Sequence, residues 1–573
     1  TNYNPLAQSE GYDDHARTTT ILATVSPYFK ITKDLEYRIL GSLNYSSGIR
    51  RAQEANFLTI PGIQGVGWAG YLNNELLTQQ ITHTLNFNKA VSSSVNLSAT
   101  LGYEYTKFQN KGFLITAYGF SSNAIPYTDY FQGSNTANRS PTSFDDPSSE
   151  LQSYFGRVNV NLRDKYLLTA TFRADGSNKF GANNKYGYFP SFGAAWVISN
   201  EDFMKGSSVF NSLKLRVGWG QTGNQEFPAG AAQEQFKYDG PNSIKQINVA
   251  NPDLKWETST TTNAGIDFAL WNNRFSGSVD YFYKNTTDLL FNFDAIAPAP
   301  AAKYWINLNG NVINSGAEVS LYGLIISKRD FQFSLGAVAS FLHNELKNYV
   351  GPDILTGAIR GQGLSGAFSQ KLANGQPLNS FWLGEFVGIN KAGIDTFAGG
   401  DPNSVANRHF VGDPNPSALV GLSANLSYKK LSLIINMNGA FGFEIYNNTT
   451  QATLAIGNLG ANRNIATSVY NPNAAVLEST SNSQPVSTRY LEKGDYMKMG
   501  NMTLSYNIGA FGKVVKTAFV YVTAQNLFVL TNYTGFDPEV NTPEPLNGVP
   551  SFGIEYTPYP SARTFILGVN FSL

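Results

Sequence analysis

Between Asn251 and Leu290 the chain reads NPDLKWETSTTTNAGIDFALWNNRFSGSVDYFYKNTTDLL. From Thr258 the even positions grow apolar, ending in Ala264, Ile266, Phe268 and Leu270, while Ser259, Thr261, Asn263 and Asp267 stay polar. After Asn272-Asn273 the alternation restarts. Phe275, Val279, Tyr281 and Tyr283 now share one face, and Arg274, Ser276, Ser278, Asp280 and Lys284 the other. A period of two marks a strand, because successive side chains leave a pleated backbone on opposite sides. Asn tolerates the positive φ of a tight turn, so the stretch predicts an antiparallel hairpin over 258–271 and 274–288. Each strand exceeds the usual length of about five or six residues and approaches what crosses a bilayer at a tilt. Tyr281-Phe282-Tyr283 also gather aromatics at one strand end, as in the girdles of outer-membrane barrels.

The alternation recurs along the chain. Residues 18–47 predict a hairpin around Lys33-Asp34, 76–89 and 93–109 a second, and NVNLRDKYLLTATFRADGS a third around Asp164-Lys165. YGYFPSFGAAWVIS and SLKLRVGWGQTGN supply two more strands. Residues 312–326 pair with 331–346 around Lys328-Arg329, and 418–428 with the strand from Leu431 around Lys429-Lys430. Two strands lie near 496–507 and 517–528, and RTFILGVNFSL closes the chain with Phe565, Leu567, Val569, Phe571 and Leu573 on one face. Turns at 33, 91, 164, 272, 328 and 429 are short; the connections 110–150, 225–256, 345–380 and 447–490 are long, polar and rich in Gly and Pro. Outer-membrane barrels show this asymmetry, with short periplasmic turns and long extracellular loops, whereas such loops are uncommon in soluble domains. The expectation is an all-β fold, a transmembrane antiparallel β-barrel of roughly eighteen strands.

Composition narrows the function. Charged residues are 14% and aromatics 13%, with 39 Phe, 31 Tyr and 53 Gly, which excludes disorder. With 41 basic and 41 acidic residues the net charge is zero, and nothing points to nucleic acid. The absence of cysteine excludes disulfides, thiol catalysis and Cys-zinc sites. No apolar run reaches the roughly eighteen residues of a transmembrane helix, a test that barrel strands escape. The opening TNYNPLAQSEGYDDHART has no signal-peptide core, so an exported chain is expected to be mature or part of something longer.

The Asn251–Leu290 hairpin resembles the signature hairpin of the SusC/RagA-type TonB-dependent transporters of Bacteroidota. So do SYFGRVNVNLRDKYLLTATFRADGSNKFGANNKYGYFPSFGAAWVISNEDFM, LKLRVGWGQTGNQ, GQPLNSFWLGEFVGI, RYLEKGDYMKMGNMTLSYNI and VYVTAQNLFVLTNYTGFDPEV, in order from near residue 18 to Leu573. The resemblance implies a barrel of about 22 strands in the family, with residues 1–573 its C-terminal part and an accessory domain, TonB box and plug domain ahead of it. It further implies active import of oligosaccharides, or other large polar nutrients such as peptides, across the cell outer membrane. A SusD-like surface lipoprotein would cap the mouth, and the TonB-ExbB-ExbD complex would act through the N-terminal part. The wall would face outer-membrane lipid and lipopolysaccharide. No enzyme chemistry and no cofactor are implied. Where many relatives carry an acidic loop resembling a calcium site, 392–416 keeps scattered acids, Asp395, Asp401 and Asp413, so no metal is carried over. The last strand resembles the signal read by the assembly machinery, so Phe571 and Leu573 are expected to serve barrel closure and assembly. On the residues alone, a passive outer-membrane porin and a secreted soluble β-rich carbohydrate-binding or adhesin protein stay open as alternatives.

Catalytic constellations are not found. His15, His83, His343 and His409 lack metal-ligand spacing. Residues 361–366 fit GxGxxG but sit in a long loop without the strand–helix context of a dinucleotide site. Aromatic pairs are the better candidates: Tyr304-Trp305 and Phe381-Trp382 lie in or beside long loops, where their faces could stack on sugar rings or peptides.

Overall fold

The computed structural model describes residues 4–572 apart from 241, 296–297, 302, 362, 455, 462–464, 466–473, 512–513, 540–541 and 547–548. Its wall begins with β1 (Tyr12–Val25), β2 (Leu35–Glu54), β3 (Trp68–Ser92) and β4 (Val95–Tyr118). β5 (Ser149–Leu162), β6 (Tyr166–Ser177), β7 (Tyr186–Val197) and β8 (Phe210–Asn224) follow. Next come β9 (Glu257–Leu270), β10 (Phe275–Thr287), β11 (Asn311–Ser327) and β12 (Phe331–Lys347). β13 (Ala418–Tyr428), β14 (Leu431–Phe441), β15 (Tyr496–Phe511), β16 (Val515–Gln525) and β17 (Thr564–Ser572) complete it. Each strand pairs antiparallel with the next. The main sheet has 20 strands, of which three prolong neighbours: Tyr28–Lys30 continues β1, Arg139–Asp145 leads into β5, and Val529–Thr531 extends β16. Among the described residues seventeen wall strands therefore stand against the roughly eighteen expected.

The predicted facing is what the wall shows. One row of paired residues runs Val160, Leu168, Ala194, Val217, Ala264, Tyr281, Ala317, Phe341, all on the outer surface. Leu168 (53%), Phe192 (58%) and Val279 (45%) are as exposed as an apolar jacket for lipid requires. On the other face Lys214, Arg216, Asp267 and Asp280 form a connected set, with Lys214 Nζ 3.0 Å from Asp267 and Arg216 Nη2 2.7 Å from Asp267 and 2.9 Å from Asp280. Gly265 makes this possible. It lies between Arg216 and Asp280 in the register, and a Cβ there would fall 2.0 Å from the Asp280 carboxylate.

Short turns occupy one end, at 31–34, 93–94, 163–165, 271–274, 328–330 and 429–430. The Asn272-Asn273 turn is wider than predicted: Trp271, Asn272 and Asn273 all have positive φ (50°, 58° and 61°), so β9 stops at Leu270 and β10 starts at Phe275. Trp271 is held there by an edge-on contact with Phe275, centroids 5.5 Å apart. The connection 198–209 at this end is longer and is tied down by Glu201, which accepts from Lys165 Nζ (2.8 Å), Tyr166 Oη (2.7 Å) and Trp196 Nε1 (3.1 Å).

At the opposite end the expected loops are partly strand. β3 and β4 run on past 76 and 109 as a paired ladder, with pairs such as Tyr71↔Ile115 and Asn73↔Phe113, and Arg139–Asp145 pairs with it. Backbone pairing does not need an alternating apolar face, so the ladder continues through Asn73-Asn74 and Asn110-Lys111, and Ala69 and Ala117 beyond them pack on Phe120 and Tyr127. The connections 225–256 and 288–310 hold small hairpins of their own, Gln235–Gly240 with Ser243–Asn248 and Leu289–Asp294 with Lys303–Leu308.

β1 and β17 stand at the two edges of the sheet, and no pairing joins them among the described residues. Nearly every residue of both strands is exposed. Phe571 projects from the outer face of β17, 58% exposed and opposite Ala518; Leu573 lies outside the described residues.

Candidate functional site

The described residues of the connections 348–417, 442–495 and 532–563 fold together into a cap at the long-loop end. A four-stranded sheet joins Ile354–Ala358, Phe368–Leu372, Phe381–Gly384 and Arg408–Gly412. A second joins Glu444–Asn447 to Leu491–Lys493 and, in parallel, to Ile554–Glu555. One core unites all three connections: Ile359, Phe381, Leu383, Tyr446, Val486, Tyr490 and Ile554. Thus the cap is a packed body, and contacts between distant stretches position its side chains.

Ionic and polar ties complete it. Arg489 reaches Asp395 at 2.5 Å and Glu478 at 2.7 Å, and Asn482 Nδ2 donates to both carboxylates. Burial opposes the charged form of Glu478, but hydrogen bonds from Arg489, Asn482 and Gln484 outweigh it and hold the carboxyl below its ordinary pKa. Arg360 Nε meets Glu544 at 2.6 Å, and Thr356 Oγ1 donates to the Val549 carbonyl at 2.7 Å. A buried ion cluster anchors the cap to the wall: Lys498 of β15 reaches Asp537 (3.4 Å) and Glu539 (2.5 Å).

The four aromatic candidates separate into two places. Tyr304 packs edge-on against Phe293, centroids 6.2 Å apart. Trp305 packs 5.5 Å from Phe227 against the cluster of Phe180, Phe189, Phe227, Leu254 and Trp256, while its carbonyl accepts from Asn251 Nδ2 at 2.9 Å. Phe381 has no exposed surface and belongs to the cap core; Trp382 is 7% exposed. Trp382 stacks on Phe368 (6.2 Å, 15°), with Lys371 Nζ 4.7 Å and the Arg408 guanidinium 5.7 Å from its ring.

Phe368 and Arg408 border a cavity of about 980 Å³. Gln451, Asn458, Asn482 and Gln484 supply buried or half-buried amides, and Ser365, Thr480 and Ser483 supply exposed hydroxyls. Arg408 is 8% exposed. Its Nε donates to the Pro402 carbonyl (2.9 Å), Nη1 to the Phe368 carbonyl (3.1 Å) and Nη2 to Asn403 Oδ1 (3.4 Å). Burial pulls the pKa of the guanidinium below its usual value. Sequence reasoning missed Arg408 and Phe368, which read as ordinary residues of a polar loop.

Gly363 and Gly366 of the GxGxxG stretch border the same cavity with φ of 80° and 75°, and no α-helix follows to form a phosphate cradle. Asp395, Asp401 and Asp413 do not converge: Asp395 is engaged by Arg489 and Asn482, Asp401 accepts from Asn403 N, and Asp413 accepts from Asn415. Among the described residues no three His, Asp or Glu side chains gather to hold a metal ion.

Residues 1–527 match the family described as TonB dependent receptor-like, beta-barrel. Over 99% of its length the chain is 30% identical to TonB-dependent receptor P3 of Formosa agariphila, and over 99% it is 27% identical to TonB-dependent receptor SusC of Bacteroides thetaiotaomicron. It spans 59% and 57% of those two proteins. A chain of the RagAB peptide importer in its open-open state shares the fold, with a TM-score of 0.82 at 21% identity, covering 99% of this chain and 62% of that one. The chain thus belongs to the TonB-dependent receptor-like family of outer-membrane β-barrels, similar to SusC in sequence and to a chain of RagAB in fold.

Proposed function

We propose that the protein imports large polar solutes, oligosaccharides or peptides, across the outer membrane in a step energised through TonB. The observation that carries this reading is the pairing of an apolar outer face with a charged inner face under a folded polar cap. A hydrated ligand can be met by the cap and passed along a wall that offers hydrogen bonds throughout. A SusD-like lipoprotein covers the cap and delivers the ligand. The unpaired edges of β1 and β17 take further strands of the same barrel, because open backbone groups are not tolerated in hydrocarbon. An accessory domain, a TonB box and a plug domain make up the rest of the protein. Over a passive pore, the interlocking of three connections into one packed cap favours gated capture.

Uptake of fluorescently labelled oligosaccharides and peptides by cells with and without the gene tests the reading. Gene-dependent uptake that stops when the proton gradient is collapsed is the expected result. Uptake that continues without the gradient would identify a passive porin instead.

A further inference from the structure

The cap cavity has a charge imbalance that points to its ligand. Arg408 is 92% buried, being 8% exposed, yet among the described residues it forms no ion pair. Its neighbours in the cap differ: Arg360 has Glu544, Lys371 has Asp353 and Arg489 has Asp395 and Glu478. Among the described residues no Asp or Glu lines the cavity. Asp401 acts on Arg408 only from a distance. A guanidinium carries five N–H donors, and three hydrogen bonds to neutral oxygens leave two unused. Burying a charge without a counter-charge is costly unless something completes it.

The remaining lining selects among anions. Ser365, Thr480 and Ser483 hydroxyls border the opening, and none makes an internal hydrogen bond among the described residues. Hydroxyls free to give and take match a ligand that is itself rich in hydroxyls. Phe368 adds an apolar ring beside Arg408, 4.6 Å from the guanidinium, against which the C–H face of a sugar can rest. A peptide end brings a carboxylate but no array of hydroxyls.

We propose that this cavity is a subsite for an acidic sugar residue, whose carboxylate or sulfate pairs with Arg408 while its hydroxyls meet the serine and threonine rim. The proposal rests on the import reading only for why a sugar reaches the cap. It identifies what the cap selects from the broad class of polar solutes.

The test is titration calorimetry on the full-length protein in detergent, with trigalacturonate, a sulfated trisaccharide, neutral maltotriose and trialanine as probes. At least one acidic sugar should bind, with maltotriose weaker by roughly 30-fold, the loss expected when a buried charge pair is not made. Arg408→Gln should bring the acidic sugar down to the level of maltotriose. Ser483→Trp, on the exposed rim, should abolish binding and leave thermal unfolding of the ligand-free protein unchanged; this variant keeps the test sound if Arg408→Gln does not fold. Equal binding of maltotriose, binding of neither acidic sugar, tighter binding of trialanine, or full binding by Ser483→Trp would each overturn the proposal. Binding is read without lipoprotein, TonB or gradient, so a protein that binds acidic sugar but imports nothing would count against the import reading alone.

Discussion

Replacing Val279 by arginine tests the facing of the wall at one residue. Val279 is 45% exposed on the outer face, between Ile266 and Val319 in the register. It lies four residues beyond Phe275, the first residue of β10. A rise of about 3.4 Å per residue and a tilt of roughly 45° place it about 10 Å above that ring, close to the middle of an apolar band roughly 25 Å tall. An arginine at that depth costs about 2–4 kcal/mol. Ser278 is the matched control. It points inward, opposite Asp267 and Ser320, beside Asp280 and near Glu318. Asp267 and Asp280 share Lys214 and Arg216, and Glu318 forms no ion pair among the described residues, so a further cation is electrostatically welcome and Ser278→Arg should stay within about 0.5 kcal/mol of the parent. Urea titration of the full-length protein in lipid vesicles, read by heat-modifiable gel mobility, measures both. Equal damage from the two variants, or greater damage from Ser278→Arg, would refute the assignment of faces.

Three other outcomes follow from the cap and the edge. Arg489→Met strands Asp395 and Glu478, whose side chains are 2% and 12% exposed, and should cost the cap about 3–5 kcal/mol; limited proteolysis should cut near 478–489 while gel mobility still reports an intact wall. The folded pKa of Glu478 lies below its ordinary 4.5, so its contribution is present above pH 4.5 and lost as pH falls through the folded value; protease sensitivity of the cap should rise below pH 4.5, and Glu478→Gln should flatten that rise. Deleting residues 570–573 removes the partners of Thr517, Ala518 and Phe519. It leaves backbone groups of β16 open to hydrocarbon, and immunoblots of outer-membrane fractions should show the truncated full-length protein depleted; normal levels would contradict this.

What could be read from the sequence was set by where water lies. β9, β10, β13 and β14 have one face in lipid and one in a polar interior, so their alternation was legible, and Ala418–Tyr428 matched the expected 418–428 at both ends. The upper parts of β3 and β4 carry polar side chains on both faces. Asn73, Asn74, Asn110 and Lys111 therefore read as loop although their backbones pair in register. The cap was illegible for a different reason. Its core joins Phe381, Tyr446 and Ile554 across long sequence separations, and no local pattern announces such contacts. Aromatic doublets divide for a local reason: neighbouring residues of a strand point to opposite sides, and Trp305 turned into the Phe227 cluster while Tyr304 met Phe293. Arg408 could have been suspected only from an arginine beside apolar Phe410 and Val411 in a short strand, a weak signal without its neighbours.

The central claim is a wall in the outer membrane with its cap at the cell surface and its short turns in the periplasm. The chain has no cysteine, so single cysteines report without background. Ser481→Cys, at the cavity rim, and Lys430→Cys, in the tight turn between β13 and β14, should be compared with an impermeant maleimide on intact cells and again after permeabilising the outer membrane. Labelling of Ser481→Cys on intact cells, with Lys430→Cys reacting only after permeabilisation, is the predicted result. The reverse pattern would invert the barrel, and equal labelling of both on intact cells would contradict a membrane between them.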